Sequence, residues 1–337
     1  MLEKTTRKKH AILKILHDRE KPLRSSCITQ ELLAHGYDIS ERTVRLYLQG
    51  MCSDGLIEKA DKRCHRIAEQ GLLELESANT IERVGLLSAK IDQVTYRMNF
   101  DLETRAGSVV VNTTLADPQQ VHTCLPMIHK VFADGYAMGR LIAFLAPGER
   151  IGQLIVPEGL IGICTVCSIT VNGVLLHHGI PVNSRFGGVL ELRDKKPVRF
   201  VEIIMYDGTS IDPLEVFIKS GMTDYLGAIK TGNGRIGVGF REFPADSRDQ
   251  VEKLAHKLGQ AGLGAFMSIG RPGQPLLDIP VSEGRSGAIV IGGLNPVSIL
   301  EETGYRVHSR AMSGLIDFDR LFHYDEMAHR LRKFMRT

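Results

Sequence analysis

Residues 40–66 read SERTVRLYLQGMCSDGLIEKADKRCHR, and they carry the clearest structural pattern in the first part of the chain. Val44, Leu48 and Met51 recur at helical spacing behind Ser40, a residue type that favours helix N-caps. The pattern predicts an amphipathic helix with one apolar and one polar face. The polar face is suited to the major groove of DNA. Its candidate DNA contacts are Ser40, Arg42, Thr43, Arg45 and Gln49.

A short basic hairpin is predicted directly after this helix. Residues 56–59 and 64–67 are suited to two strands, with a tip at 60–63 that approaches phosphates or the minor groove. A basic hairpin behind a recognition helix is typical of a DNA-binding winged helix. The candidate DNA contacts of the hairpin are Lys59, Lys62, Arg63 and Arg66.

Two earlier amphipathic patterns complete the order of a winged helix-turn-helix. One covers residues 9–18, and the other covers 26–35 and is closed by Gly36. A helical bundle whose charges are merely solvated is the alternative. The order of the elements together with the basic hairpin favours DNA binding.

The composition permits a DNA-binding protein without requiring one. The chain has 337 residues and a net charge of +3, which predicts two or three domains and no polycationic surface. Residues 1–76 carry 14 Lys and Arg against 12 Asp and Glu. Contacts to double-stranded DNA are therefore expected from a few well-placed cations.

The N-terminus and the cysteines predict a soluble cytoplasmic protein without a membrane partner. The first residues lack the apolar core of a signal peptide, and the longest apolar run, residues 160–171, is too short to cross a bilayer. The six cysteines are scattered through a chain that is large enough to fold without disulfides. They fit a reducing compartment.

A Leu-rich segment at residues 68–79 predicts a connector between a winged-helix domain, residues 1–76, and a second domain, residues 80–327. The second domain alternates Val- and Ile-rich runs with helical patterns, which indicates a mixed α and β structure. Its predicted strands cover 108–111, 160–171, 200–205, 236–240 and 288–291, and its predicted helices cover 119–133, 248–260 and 296–302.

The second domain contains an internal repeat. Residues 139–190 match residues 264–315 without a gap at 13 of 52 positions, where average composition gives roughly three or four matches. Two similar halves, about 80–206 and 207–327, are the simplest explanation. The predicted fold class is therefore α+β, an N-terminal winged helix-turn-helix followed by an internally duplicated α/β domain. A ligand cleft between the halves is expected.

Two arginines, Arg185 and Arg310, occupy equivalent positions of the repeat. A turn does not require a guanidinium, so the pair could hold the two ends of a dicarboxylate. A structural salt bridge is the alternative for each of them.

Loop segments supply further candidate contacts. Residues 292–296 follow a predicted strand and precede a predicted helix, where free backbone N–H groups favour an anion, although an ordinary connection explains the same residues. Cys167 and Ser168 occupy the matching place in the first half, and Thr209 and Ser210 lie at the junction of the halves.

Motifs for metal binding or catalysis are weak. Cys164 and Cys167 have C-x-x-C spacing, but no second pair completes a zinc site, and the expected role is that of buried strand cysteines. The sequence has neither G-x-S-x-G nor H-E-x-x-H. We expect no metal, no cofactor and no catalytic residues.

Four strings resemble the NrpR regulatory domain of archaeal and some bacterial nitrogen repressors. They are TVCSITVNG at residues 165–173, RFGG at 185–188, DGTSIDPLE at 207–215 and GGLNPV at 292–297. The resemblance spans about Glu82 to Met327. It implies an operator-binding dimer that represses nitrogen-assimilation genes and is released when 2-oxoglutarate binds. Some family members carry two regulatory domains in tandem, whereas this chain has one.

The resemblance therefore implies a small dicarboxylate effector, 2-oxoglutarate, bound in the cleft of a chain that forms a homodimer. Two alternatives stay open. One is a small-molecule enzyme with an accessory winged helix, and the other is a DNA-binding module whose second domain only dimerises. The candidate effector contacts are Thr165, Cys167, Ser168, Arg185, Thr209, Ser210, Asn295 and Arg310.

Overall fold

The chain divides into two compact units, Met1–Gly85 and Leu86–Thr337. The structure, a computed structural model, describes residues 2–19, 21–34, 37, 39–61, 63–75, 86–264 and 266–335. Lys62, Gly36 and part of the predicted connector, residues 76–79, lie outside the described residues.

The first unit contains the elements of a winged helix. They are α1 (Leu2–Asp18), β1 (Leu23–Arg24), α2 (Ser25–Ala34), α3 (Glu41–Ser53), β2 (Ile57–Lys59), β3 (Cys64–Ile67) and α4 (residues 69–75). The strands form an antiparallel sheet in the order β1-β3-β2. The predicted winged helix-turn-helix is confirmed. β1 lies outside the sequence prediction, because two residues are too few to show strand periodicity.

The apolar faces of the first three helices meet in one core. Each side chain in this set is at most 1% exposed, and burial of a side chain of this size contributes about 1.5–3 kcal/mol. The set comprises Ile12, Leu13, Ile28, Leu32, Val44, Leu48 and Met51. This core fixes α3 by its apolar face and leaves its polar face outward.

The second unit begins with α5 (Leu87–Arg97) and repeats one series of six elements. The first series is β4 (Ser108–Ala116), α6 (Pro118–Ala133), β5 (Leu141–Leu145), β8 (Ile161–Val166), α7 (Ile169–His177) and β9 (Asn183–Arg193). The second is β11 (Gly234–Pro244), α10 (Arg248–Gln260), β12 (Phe266–Ile269), β13 (Arg285–Ile291), α11 (Ser298–Glu302) and β14 (His308–Asp317). The other elements are β6 (Arg150–Ile151), β7 (Leu154–Ile155), β10 (Lys196–Met205), α8 (Pro213–Lys219), α9 (Tyr225–Thr231), β15 (Phe322–His323) and α12 (Met327–Leu331). The mixed α and β class is confirmed.

The two series exchange their last strands. One antiparallel sheet has the order β10-β9-β11-β13-β12, and the other has the order β14-β4-β8-β5-β15. β9, the last strand of the first series, therefore lies beside β11 of the second series, and β14 lies beside β4 of the first. Each sheet takes three strands from one series and one from the other. Neither half of the repeat contains a complete sheet by itself.

Two buried corners carry the chain from one sheet to the other. The β8–α7 corner leads from the second sheet to β9, and the β13–α11 corner leads from the first sheet to β14. Residues 161–175 and 286–300, which contain these corners, are buried throughout. The two corners thus belong to the interior that both sheets share.

The strand predicted over residues 160–171 is wrong beyond Val166, because α7 begins at Ile169. Cys167 is therefore a corner residue rather than a strand cysteine, and its N–H donates to the Val110 carbonyl (2.8 Å). A continuous apolar run looks the same in a buried strand and in a buried helix, which explains the error.

Candidate DNA interface and effector site

The polar face of α3 begins at a well-formed cap. Ser40 Oγ accepts a hydrogen bond from Thr43 N (3.3 Å) and lies 2.9 Å from Thr43 Oγ1. The predicted N-cap is confirmed, and both hydroxyls are engaged at the cap. The long exposed side chains of the helix are Arg42, Arg45, Leu46 and Gln49.

Arg45 is bonded to the scaffold of the winged helix. Its Nη2 donates to Glu41 Oε1 (2.7 Å) and its Nε donates to Ser25 Oγ (3.3 Å). Ser25 Oγ in turn donates to Glu41 Oε1 (2.8 Å). These bonds, that from Ser25 first, lower the pKa of Glu41. The triad joins the first residue of α2 to the first turn of α3, so Arg45 helps to position the helix.

Arg42 and Gln49 are not held in this way. Among the described residues, neither side chain has a hydrogen-bond or ion-pair partner. Together with Leu46 they line a shallow concavity of about 420 Å³ on α3. A free guanidinium suits the O6 and N7 acceptors of guanine, and a free amide suits the adenine edge.

The predicted basic hairpin forms the wing. Its register pairs Glu58 with Arg66, and Arg66 Nε donates to Glu58 Oε1 (2.6 Å). At the tip, Asp61 Oδ1 accepts from the backbone N–H groups of Arg63 (2.7 Å) and Cys64 (2.9 Å). These bonds, that from Arg63 first, lower the pKa of Asp61. The Asp61 carboxylate therefore holds the backbone of Arg63 and Cys64 at the tip.

A groove of about 850 Å³ lies between α3 and the wing. Its lining carries four Lys or Arg side chains, Arg24, Arg45, Lys59 and Arg63, and one carboxylate, Glu41. This excess of positive charge attracts DNA phosphates. Sequence analysis missed Arg24, which belongs to the unpredicted strand β1.

A small cavity lies where the two buried corners of the second unit approach each other. Its lining includes Cys167 and Ser168 of one corner, Gly293 of the other and Asn112 of β4. A Cβ atom added to Gly293 would lie 2.3 Å from both Asn112 Nδ2 and the Val166 carbonyl oxygen, so the corners are as close as glycine permits. The cavity has about 10 Å³ open to water, which is room for roughly one molecule.

Arg241 of β11 reaches the lining of this cavity, and it is only 1% exposed. Its Nε donates to Asn172 Oδ1 (3.2 Å), its Nη1 to the Phe240 carbonyl (3.3 Å) and its Nη2 to Ser168 Oγ (3.3 Å). Its guanidinium lies over the Tyr206 ring (5.4 Å). All of these partners are neutral, and no carboxylate of the described residues lies within 4.0 Å. A buried charge of this kind is usually paired.

Burial shifts the pKa of several groups around the cavity. Desolvation, followed by the charge of Glu215, raises the pKa of Asp212 to about 6. Burial raises the pKa of Cys167 to about 12, so this thiol is neutral at physiological pH. Burial, followed by the charge of Arg310, lowers the pKa of Lys90. Burial therefore disfavours the charged form of each of these groups beside the cavity.

The two arginines of the repeat differ in their surroundings. Arg185 in β9 donates from Nη1 to Glu242 Oε1 (2.7 Å) and to the Pro280 carbonyl (2.5 Å). Arg310 in β14 is exposed and has no ion-pair partner among the described residues. Neither lines the small cavity. Arg185 is therefore engaged in a structural ion pair, whereas Arg310 is available to a ligand.

The remaining predicted contacts fall into two groups. Asn295 lies within the β13–α11 corner and is buried, with its amide hydrogens bonded to backbone carbonyls and its Oδ1 without a partner among the described residues. The buried Thr165 Oγ1 also has no such partner. Thr209 is occupied in a local turn, and Ser210 beside it is exposed. Of the predicted contacts, Cys167 and Ser168 therefore line the cavity, and Asn295 directly follows its lining residue Leu294.

Within the described ranges, no group of three His, Cys, Asp or Glu side chains is arranged to hold a metal ion. No helix in the part of the chain that the structure describes combines the length and the apolar character needed to cross a bilayer.

Comparisons with known families match both units. The model of NrpR regulatory domains NRD1 and 2 matches residues 84–323, and the model of the ribonuclease R winged-helix domain matches residues 10–75. The chain belongs to the NrpR family of nitrogen regulators.

NrpR proteins of two lengths are similar to this chain. The global nitrogen regulator NrpRI of Methanosarcina mazei is 33% identical over 93% of this chain and 96% of its own length. The global nitrogen regulators NrpR of Methanococcus maripaludis and Methanocaldococcus jannaschii are 30% and 33% identical over 91% and 97% of this chain. The chain spans only 53% and 55% of those two longer NrpR proteins.

The NrpR fold also has a solved counterpart. The crystal structure of a nitrogen repressor-like protein from Methanococcus jannaschii aligns with a TM-score of 0.61 and 26% identity, covering 71% of this chain and 99% of that chain. The NrpR relatives are named as regulators, and the first unit is a winged helix, which favours a transcriptional regulator over an enzyme with an accessory domain.

Proposed function

We propose that this chain is a repressor of nitrogen-assimilation genes that binds operator DNA as a homodimer and is released when 2-oxoglutarate binds. The observation that carries the proposal is the combination, in one chain, of a winged helix with a cationic groove and an NrpR regulatory domain. The names of the relatives, global nitrogen regulators, and of the solved counterpart, a nitrogen repressor-like protein, support nitrogen control by repression.

In this proposal α3 enters the major groove and the wing follows the DNA backbone. Arg42 and Gln49 supply free polar groups to base edges, while Lys59 and Arg63 contact phosphates. The two winged helices of a homodimer would then read half-sites about 34–36 Å apart, or a multiple of that distance.

The effector is proposed to bind at the cavity between the two corners. Arg241 supports an anionic ligand, because its buried charge has only neutral partners. A carboxylate would give this guanidinium an opposite charge and a bidentate pair of hydrogen bonds, which the neutral Asn172 and Ser168 do not supply. Arg310 and Lys90, which interact electrostatically with each other, are suited to the second carboxylate of a dicarboxylate.

The small size of the cavity supports a coupling between binding and conformation. A five-carbon dicarboxylate does not fit into space for roughly one water, so the corners must separate before it binds. Such a ligand binds the open conformation better than the closed one, and this difference is what allows it to change the affinity for DNA. Because each corner joins the two sheets, opening it moves one sheet against the other and changes the spacing of the winged helices in the dimer.

Calorimetric titration of the full chain with 2-oxoglutarate, with and without a DNA duplex selected from a random library by the same chain, tests the proposal. We expect the effector to bind the free chain and to bind more weakly when DNA is present, by the same factor by which it weakens DNA binding. Unchanged DNA affinity at fixed salt across the titration would contradict release by this effector.

Two other outcomes distinguish the alternatives. A chain that binds DNA but shows neither heat nor thermal stabilisation with 2-oxoglutarate would be a DNA-binding module that only dimerises. Recovery of a chemically altered ligand after denaturation of the protein would indicate an enzyme.

A further inference from the structure

An exposed leucine lies in the middle of the polar face of α3. Leu46 is 63% exposed, although the same helix buries Val44 and Leu48 completely or nearly so. It follows Arg42 by four residues and precedes Gln49 by three, so the three side chains share one helical face. They also line the same concavity. Leu46 therefore lies on the surface that faces the base edges in the proposed complex with DNA.

The chemistry of this row matches three different bases. A guanidinium pairs with the O6 and N7 acceptors of guanine, and a side-chain amide pairs with the N6 donor and N7 acceptor of adenine. Thymine alone presents an apolar group in the major groove, its 5-methyl. The isobutyl group of Leu46 has no polar atom and can read only such a group.

The spacing of the row matches the spacing of bases. Arg42 and Gln49 are seven residues apart, which places them about 10 Å apart along the helix axis. Successive bases rise about 3.4 Å along each strand, so this length covers roughly three steps. Arg45, the other long cation in this region, is bonded to Glu41 and Ser25. Leu46 is thus free to contact a base pair between those of its two neighbours.

We propose that Leu46 reads a thymine by packing against its 5-methyl group, between a guanine bound by Arg42 and an adenine bound by Gln49. This inference rests on the proposed binding of operator DNA and adds the residue that recognises an apolar base edge.

Replacement of single thymines by deoxyuridine, which lacks only the 5-methyl group, tests the inference. The full-length chain first selects duplexes from a random library, and each thymine of the selected site is then replaced in turn. At one position in each half-site we expect the affinity of the wild-type chain to fall about fourfold, because the free energy of burying one methyl group is lost. The Leu46→Ala chain should bind the thymine and the uracil duplexes equally.

Leu73→Ala provides the matched control, because Leu73 is also exposed (57%) but lies on α4. This variant should keep the wild-type response to uracil. If uracil at no position weakens binding of the wild-type chain, or if Leu46→Ala responds to it as the wild type does, the inference is overturned while DNA binding stands. If the wild-type chain selects no duplex at any salt concentration, the proposed function itself fails, and the inference fails with it.

Discussion

Arg185 and Glu242 form an ion pair of 2.7 Å across the exchange of strands, since one residue lies on β9 and the other on β11. The Glu242 side chain is 0% exposed and also accepts hydrogen bonds from Ser282 N (3.1 Å) and Ser282 Oγ (2.8 Å). A buried carboxylate therefore depends on a cation from the other half of the repeat. The equivalent arginine, Arg310, has no such partner among the described residues.

Arg185→Met should destabilise the second unit by about 2–3 kcal/mol, because it leaves the charge of Glu242 buried without its counterion. Urea unfolding followed by circular dichroism measures the change. Arg310→Met is the matched control and should change the free energy of unfolding by less than about 0.5 kcal/mol. If both variants lose the same free energy of unfolding, the ion pair does not specifically stabilise the exchanged strands.

Arg42→Ala and Arg63→Ala should affect DNA binding in different ways. Loss of Arg42 should relax base preference at one position by about 1–3 kcal/mol, because a base contact is removed. Loss of Arg63 should weaken binding to all sequences alike and reduce the slope of log affinity against log salt by about one, because a phosphate contact is removed. Fluorescence anisotropy on selected and scrambled duplexes measures both effects. If the two variants behave identically, α3 is not the recognition helix.

Arg241→Gln should weaken the response to 2-oxoglutarate while DNA binding remains. The amide keeps a hydrogen-bond donor near Ser168 but removes the buried charge, so effector affinity should fall about ten- to hundredfold. Calorimetry on the full chain gives this affinity directly. Arg235→Gln, a change at an exposed position of the same strand, should leave it unaltered. A normal response in Arg241→Gln would place the effector elsewhere.

Asp212 should make stability depend on pH. Its pKa is raised to about 6 in the folded chain, above the ordinary value, so the folded state holds the proton between about pH 4 and pH 6. The contribution of Asp212 to the free energy of unfolding therefore falls as the pH rises through this window. The destabilisation caused by its buried charge is fully present above about pH 6. Asp212→Asn should be more stable than the wild type by about 1–2 kcal/mol at pH 7.5 and equal to it below pH 4.

A cap-matched variant separates this effect from the loss of a helix cap. Asp212 caps α8 before Pro213, and Asp117 caps α6 before Pro118 through the same kind of bond. Asp117→Asn measures how much the same substitution at a helix cap changes the free energy of unfolding. A difference between wild type and Asp212→Asn that does not change with pH would contradict the proposed origin in desolvation.

Elements with a clear period are predictable from this sequence. The helix predicted over residues 248–260 is α10 with the same bounds, because its apolar residues recur every three to four positions among charged ones. The cap at Ser40 and the wing hairpin are likewise local patterns, and they form as expected. The boundary between β8 and α7 has no such local pattern. Both elements are buried on all sides, so their sequence does not alternate between a buried and an exposed face.

The long-range features escape sequence analysis for a different reason. Internal similarity reveals two series of elements but does not tell which sheet receives the last strand of each. Arg241 escapes for the same reason, since its burial depends on Ser168 and Asn172, which lie 73 and 69 residues away in the other series. The one available signal is the pair of adjacent charges, Arg241 and Glu242, directly after the apolar residues 236–240 of the strand. The cavity that Arg241 adjoins is therefore a product of topology rather than of a motif.

The exchange of strands also has a consequence during protein synthesis. Thr113 on β4 and Ser313 on β14 lie 2.7 Å apart through their hydroxyl oxygens but are separated by 200 residues. At about 5–20 residues per second, roughly 10–40 s pass between the emergence of β4 from the ribosome and that of its partner strand. During this time the edge of β4 has no native strand beside it, and such an edge invites pairing with other nascent chains. The exchange of strands thus makes translation the stage at which this protein is most exposed to aggregation through a strand edge.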